Sequence, residues 1–147
     1  MRFLKRLFGI LPLRFASAHC DVPCGIYDPH AAQVAAQTVL VMVQKIVSLE
    51  KEGDDKTAKL QYKNSLVRMI LTKEEHARKC KEEILILWTD YFKPEHLEKF
   101  PDLHTLFWET ARLCSYNKQH IDEVKAQELV TSVNKIADIF EKSKTSY

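Results

Sequence analysis

The sequence predicts an all-α protein, an antiparallel, up-down four-helix bundle, and three observations carry that prediction. Glycine and proline are scarce, three and five in 147 residues, too few for the turns of a many-stranded β fold. Four stretches beyond residue 28 repeat apolar side chains at spacings of three and four, the period of a half-buried helix. The connections between them are short, which sets successive helices side by side and antiparallel. With 46% hydrophobic and 29% charged residues, the composition is that of a single globular domain.

The first helix opens at Asp28-Pro29, a carboxylate N-cap followed by a proline whose missing N–H is not needed in the first turn. Ala32, Ala35, Val39, Met42, Ile46 and Leu49 then form one stripe. Gly53 stops this helix, and Asp54 or Asp55 caps the next. The second helix runs from about 55 to 91 without a glycine or proline. Leu60, Val67, Ile70, Ala77, Cys80, Ile84, Leu87 and Tyr91 lie near one of its faces, and its Lys- and Glu-rich side is a solvated face. Pro94 and Pro101 frame a connector with a short turn at 95–99. A third helix covers about 102–114, with Leu103, Leu106, Phe107, Thr110 and Leu113 inward and Asn117 marking its end. The fourth covers about 121–142, with Ala126, Leu129, Val133, Ile136 and Phe140 on its stripe.

Ahead of the bundle, residues 1–18 carry Arg2, Lys5, Arg6 and Arg14 and no acid, which leaves −2 on the rest of a chain of net charge +2. The segment is basic at its front, apolar over 7–13, and closes on Ala16-Ser17-Ala18, small residues spaced like a peptidase site. The expected division is therefore a removable leader, 1–18, and a bundle domain, 19–147. An export signal, an organelle transit peptide and a propeptide removed in place all fit, as does a basic terminus that stays attached. The compartment follows that choice: the cytoplasm, or an organelle or export compartment if the leader is an address. Gly9 and Pro12 interrupt the apolar stretch, and no run approaches the ~20 residues of a membrane span. A net charge of +2 is too small to indicate nucleic acid.

The unusual segment is His19-Cys20-Asp21-Val22-Pro23-Cys24-Gly25-Ile26-Tyr27-Asp28-Pro29. Cleavage before His19 would gather a free amine, an imidazole, a backbone amide and two thiols within six residues. The His19 amine and the Cys20 amide nitrogen close one five-membered chelate ring on a metal, and the Cys20 amide and its own sulfur close a second. Cys24 swings back as a fourth donor, with Pro23 fixing the chain before it and Gly25 permitting a tight turn after it. Four nitrogen and sulfur donors in a plane suit Ni(II) or Cu(II) and not tetrahedral zinc, and the His19 ring is left to bind from above. Three other readings of the cysteines stand beside this one: a local disulfide, half of a zinc site, or incidental placement.

This segment closely resembles the metal-binding hook of the nickel superoxide dismutases. A second stretch, Leu87-Trp88-Thr89-Asp90-Tyr91-Phe92-Lys93-Pro94 followed by His96, Glu98-Lys99 and Pro101, is similar to the same family. The resemblance is near-continuous from His19 to about His104 and looser beyond. It implies a four-helix-bundle enzyme, a homohexamer made with a short leader that a dedicated protease removes. It implies one nickel per subunit, held by His19, Cys20 and Cys24, and superoxide converted to dioxygen and hydrogen peroxide by Ni(II)/Ni(III) cycling. Asp21, Pro23 and Tyr27 would shape the hook, and Tyr91 would stand near its open face. Beside that resemblance, Tyr27 and Tyr91 read either as gates for water and small anions or as packing of the hook against the bundle, and Lys93 as local steering for superoxide.

Where better-known members carry an acid bonded to the axial imidazole, this sequence has Ala35; where they carry a supporting arginine, it has His76. His76 is then a replacement partner or an exposed helix residue. His30, His96, His104 and His120 show no ligand spacing and read as surface or structural. Trp88 and Trp108 read as core or subunit-contact residues, and Cys80 and Cys114 as buried apolar positions. Two other functions use the same features: a nickel or copper carrier without turnover, and a helical interaction protein with a Cys20–Cys24 redox pair.

Overall fold

Asp28 starts the first helix through its side chain: Oδ1 accepts the His30 N–H at 2.7 Å. The computed structural model describes residues 25–144. The predicted leader and His19, Cys20, Asp21 and Cys24 lie outside the described residues. The elements are α1 (His30–Val47), α2 (Lys56–Ile86), a π-helical turn (Leu87–Tyr91), α3 (Pro94–Lys99), α4 (Leu103–Gln119) and α5 (Glu123–Lys144). No strand occurs among the described residues. Helix α1 packs on α2 and α5, and α4 packs on the same two, so the four long helices close a ring around one core.

That core takes in many of the residues read as stripes from the sequence, but in α1 Leu40 and Val43 are buried while Met42 and Ile46 are only half-buried. Ala32, Ala35, Val39 and Val43 of α1 meet Ala77, Cys80 and Ile84 of α2, Phe107 and Cys114 of α4, and Leu129, Val133, Ile136 and Phe140 of α5, all buried. Asp55 caps α2 as expected, accepting from the Thr57 and Ala58 N–H groups.

Four expectations are corrected. Helix α1 stops at Val47, ahead of Leu49, because the Ser48 N–H closes the last turn on Gln44 O. The first half of α2 does not bury its stripe: Leu60 is 57% and Val67 53% exposed. Val67 lies beside α1 but off the half-buried face of Leu66, Met69 and Ile70, and for Leu60 the reason is length. A helix of 31 residues reaches about 46 Å, whereas α1, of 18, reaches about 27 Å, so α2 outruns its neighbour. Asn117 does not end the third long helix. It is fully buried inside α4, where its Nδ2 donates to Leu113 O and to Lys125 O, each at 3.0 Å, and so ties α4 to α5. Lastly, α2 does not continue to residue 91 with α-helical geometry. Its end widens by one residue per turn, with the Phe92 N–H on Leu87 O at 3.0 Å. Lys93, forced into an extended conformation by Pro94, ends the run.

One buried charge holds the far end of α4. Lys73, 2% exposed, donates from Nζ to Asn117 O, to Lys118 O at 3.0 Å and to His120 O at 3.0 Å. Those carbonyls have no partner within their own helix. Burial lowers the affinity of Lys73 for its proton, and neighbouring Glu74 opposes that shift.

Candidate metal centre

The described chain begins beside the predicted hook. Gly25, directly after Cys24, has φ +70°, a left-handed conformation that side chains rarely adopt, and space around it is open. Glycine is therefore required for the turn itself and not for clearance. Two residues on, Tyr27 lays its ring against Tyr91, 5.5 Å between centroids at 58°. The structure thus brings together two residues 64 positions apart that the sequence singled out separately.

Tyr91 owes its place to the π-helical turn and to a ring of aromatic neighbours. It meets Phe140 at 4.5 Å, Phe92 at 5.0 Å edge-on, and His96 at 5.8 Å nearly parallel. Its hydroxyl lies 2.7 Å from Ser143 Oγ on α5. Sequence reading passed over Ser143, a small polar residue near the end of the chain.

His96 is not at the surface. It is buried, and its Nδ1 accepts the Lys93 N–H at 2.9 Å while the His96 N–H returns to Lys93 O at 3.0 Å. This exchange closes the first turn of α3, with Pro94 at the position that tolerates it. A ring nitrogen that accepts a backbone N–H carries no proton, so the proton is on Nε2, which is buried without a partner. Lys93 itself is exposed, as local steering of an anion requires.

His76, on α2, is half-buried, and its Nδ1 is buried with no hydrogen-bond partner. Ala35, at the other departure from the family pattern, is fully packed in the core. His104 accepts the Trp88 indole N–H at Nδ1, 2.8 Å, while Trp88 stacks flat on Phe107 at 5.8 Å. Trp108 is 53% exposed beneath the Arg112 guanidinium, 4.9 Å from its ring. Cys80 and Cys114 are buried and free, and they face each other: a hydrogen bond between them, followed by burial, raises the Cys80 thiol far above its ordinary value.

Among the described residues, no group of three or more His, Cys, Asp or Glu is arranged to hold a metal. Two open grooves, about 550 Å³ along α5 and about 530 Å³ between α4 and α5, are lined by other residues than those singled out above as site candidates. No helix among the described residues is long and apolar enough to cross a membrane.

Comparisons with known proteins converge. A family model described as nickel-containing superoxide dismutase matches residues 14–144. A curated nickel superoxide dismutase of Streptomyces seoulensis is 36% identical over 141 residues, covering 96% of this chain and 98% of its own length. That of Streptomyces coelicolor gives the same identity and coverage. A solved structure of native nickel superoxide dismutase superposes with a TM-score of 0.73 at 34% identity, covering 87% of this chain and 100% of the other.

Proposed function

This chain belongs to the nickel-containing superoxide dismutase family, and from that premise we propose that its nickel is held by the segment 19–24. The chain is an oxidoreductase that takes superoxide to dioxygen and hydrogen peroxide with a nickel cofactor. The ligands proposed are the His19 amine and imidazole, the Cys20 amide and thiolate, and the Cys24 thiolate. One observation carries this assignment: the described residues offer no metal-holding cluster, and the rest of the chain contains only four His, Cys, Asp or Glu residues, namely His19, Cys20, Asp21 and Cys24. The donor chemistry fits. Two anionic sulfurs with amine and amide nitrogens suit nickel better than the harder cations. Bound there, nickel supplies one-electron chemistry between its +2 and +3 states, which thiolate and deprotonated amide donors bring within reach of superoxide.

The chain's own residues shape that chemistry. Gly25 turns the backbone immediately after Cys24, and the Tyr27–Tyr91 contact anchors the segment to the bundle. The two tyrosines bring aromatic rings with polar tips to this end of the bundle, where they order water and limit access to small anions. Asp21 shapes the hook, and Lys93 supplies local steering for superoxide, since a mature chain of net −2 gives an anion no bulk attraction. His76 supports the His19 ring: it stands where the family's supporting arginine does and has a buried nitrogen without a partner.

Residues 1–18 form a leader whose removal completes the site. While Ala18 is attached, the His19 nitrogen is an amide and not an amine, and the chain runs on through the space where the hook closes. A processing protease and a homohexamer complete the proposal, and the exposed Leu60, Val67 and Leu71 of α2 offer apolar surface for subunit contacts.

The test compares a protein beginning at His19 with one beginning Met-His19, the first residue verified by mass. Nickel and activity are expected only in the former. Equal activity in both would rule out the amine as a ligand.

A further inference from the structure

Ser143 sits between two oxygens that constrain its single proton. Its Oγ lies 2.6 Å from the carbonyl oxygen of Phe140 and 2.7 Å from the hydroxyl oxygen of Tyr91. A carbonyl oxygen brings no hydrogen, so a separation of 2.6 Å is sustained only if the Ser143 proton lies on that line. Ser143 Oγ can then only accept from Tyr91, and Tyr91 must donate. Ser143 is fully buried, so water does not compete for either bond.

The consequence appears at the other side of the phenol. A tyrosine hydroxyl has one proton and two lone pairs. With its proton directed into the bundle, Tyr91 has only lone pairs to offer elsewhere. Such an oxygen accepts from water, from a backbone N–H or from neutral hydrogen peroxide. It gives no hydrogen bond to an anion.

We propose that Ser143 is a positioning residue that holds the Tyr91 hydroxyl as an acceptor toward the hook, so that Tyr91 neither donates to nor retains a small anion there. This rests on the placement of Tyr91 beside the nickel site proposed above, and it adds the direction of the hydrogen bond and the residue that sets it. Tyr91 thereby orders donors, such as water or the protonated product, while anionic species find no donor in it and leave. The phenol ring is held between Phe140 and His96, which keeps its oxygen beside Ser143, and turning the O–H elsewhere would leave two oxygens 2.7 Å apart with no proton between them.

Two measurements test this. In the full chain without nickel, carrying ring-labelled tyrosine, the Tyr91 hydroxyl proton should exchange slowly with water. That protection should vanish in Ser143→Ala and survive in Ser143→Thr, which keeps the acceptor oxygen. A Tyr91 proton that exchanges equally fast in wild type and Ser143→Ala overturns the inference, whatever ligates nickel. In the nickel-loaded protein, azide serves as a small monoanion and its affinity is read from the nickel absorption spectrum. Ser143→Ala frees the phenol proton and should bind azide about tenfold more tightly, since a hydrogen bond to a charged group is worth at least that factor. Adding Tyr91→Phe should remove the gain. A merely structural role for Ser143 predicts weaker or unchanged binding, and either result overturns the proposal. Failure of the hook assignment registers separately, as nickel content that does not depend on a His19 terminus.

Discussion

The Lys73 ammonium lies 3.0 Å from the carbonyl oxygen of His120, a residue 47 positions further along the chain, and so joins the middle of α2 to the turn that leads into α5. It donates at the same time to Asn117 and Lys118. A side chain that sequence alone assigns to a solvated face thus serves as the C-terminal cap of another helix.

Lys73→Met keeps the length of the side chain and removes its donors, leaving the α4 carbonyls without partners. The variant should lose about 3 kcal/mol of stability in urea unfolding, since each buried acceptor left unpaired costs about 1–3 kcal/mol. The folded fraction should still bind nickel. The wild type should also show a characteristic pH response. Because burial lowers the proton affinity of Lys73 in the folded state, the unfolded chain binds more protons as pH approaches the ordinary lysine value of 10.5. Stability attributable to this group therefore rises with pH across the window just below 10.5, and below that window the full burial penalty is present. Lys73→Met should flatten the rise in urea midpoint over that window.

The cysteines divide into two classes with opposite signatures. Cys20→Ser and Cys24→Ser should each eliminate nickel, as read by metal analysis, with the fold unchanged by circular dichroism. Cys80→Ser and Cys114→Ser should keep nickel and lose about 1–2 kcal/mol of stability, because each puts a more polar group into a buried contact. Retained nickel in Cys24→Ser would remove it from the ligand set.

Tyr27→Phe and Tyr91→Phe preserve the ring contact at 5.5 Å and delete only a hydroxyl. Nickel should remain bound and turnover should fall several-fold, roughly 1 kcal/mol in the barrier. Loss of all metal from either variant would show the hydroxyl to be needed for assembly of the hook.

His76→Ala removes a ring nitrogen that has no partner to lose within the described bundle, so it should fold nearly as well as the wild type. Its effect should appear instead in the paramagnetic resonance of the oxidised nickel protein, where a loosened axial imidazole changes the spectrum. An unchanged spectrum and rate would return His76 to the role of an ordinary helix residue.

Much of this architecture was legible in the sequence, and particular residues show why the rest was not. Stripes such as Val39, Leu129 and Ile136 declare themselves because burial on one face follows the helical period. Asp28 and Asp55 declare themselves because capping is local, within three residues. Asn117, Lys73 and Ser143 did not, because their partners are Lys125, His120 and Tyr91, whose proximity exists only after the helices pack. An amide often ends a helix, but Asn117 lies within the last turn of α4, where the carbonyls of Leu113 and Lys125 take its Nδ2 hydrogens. His96 is structural, one of the two readings that its lack of ligand spacing allows, and spacing says nothing of which, because the ring folds back onto the N–H of Lys93 only in the packed turn. The hook is proposed on different grounds, since chelate rings between adjacent residues are determined by covalent connectivity alone.

The π-helical turn at Leu87–Tyr91 places one residue more in that turn than an α-helix would hold. Were one residue removed there, the segment would close as ordinary helix and the chain beyond it would keep close to its present phase, because the wide turn already takes up the additional residue. What would change is the aim of the side chains inside the turn, Tyr91 among them, so the contact between Tyr91 and Tyr27 depends on a residue that the helix itself does not need.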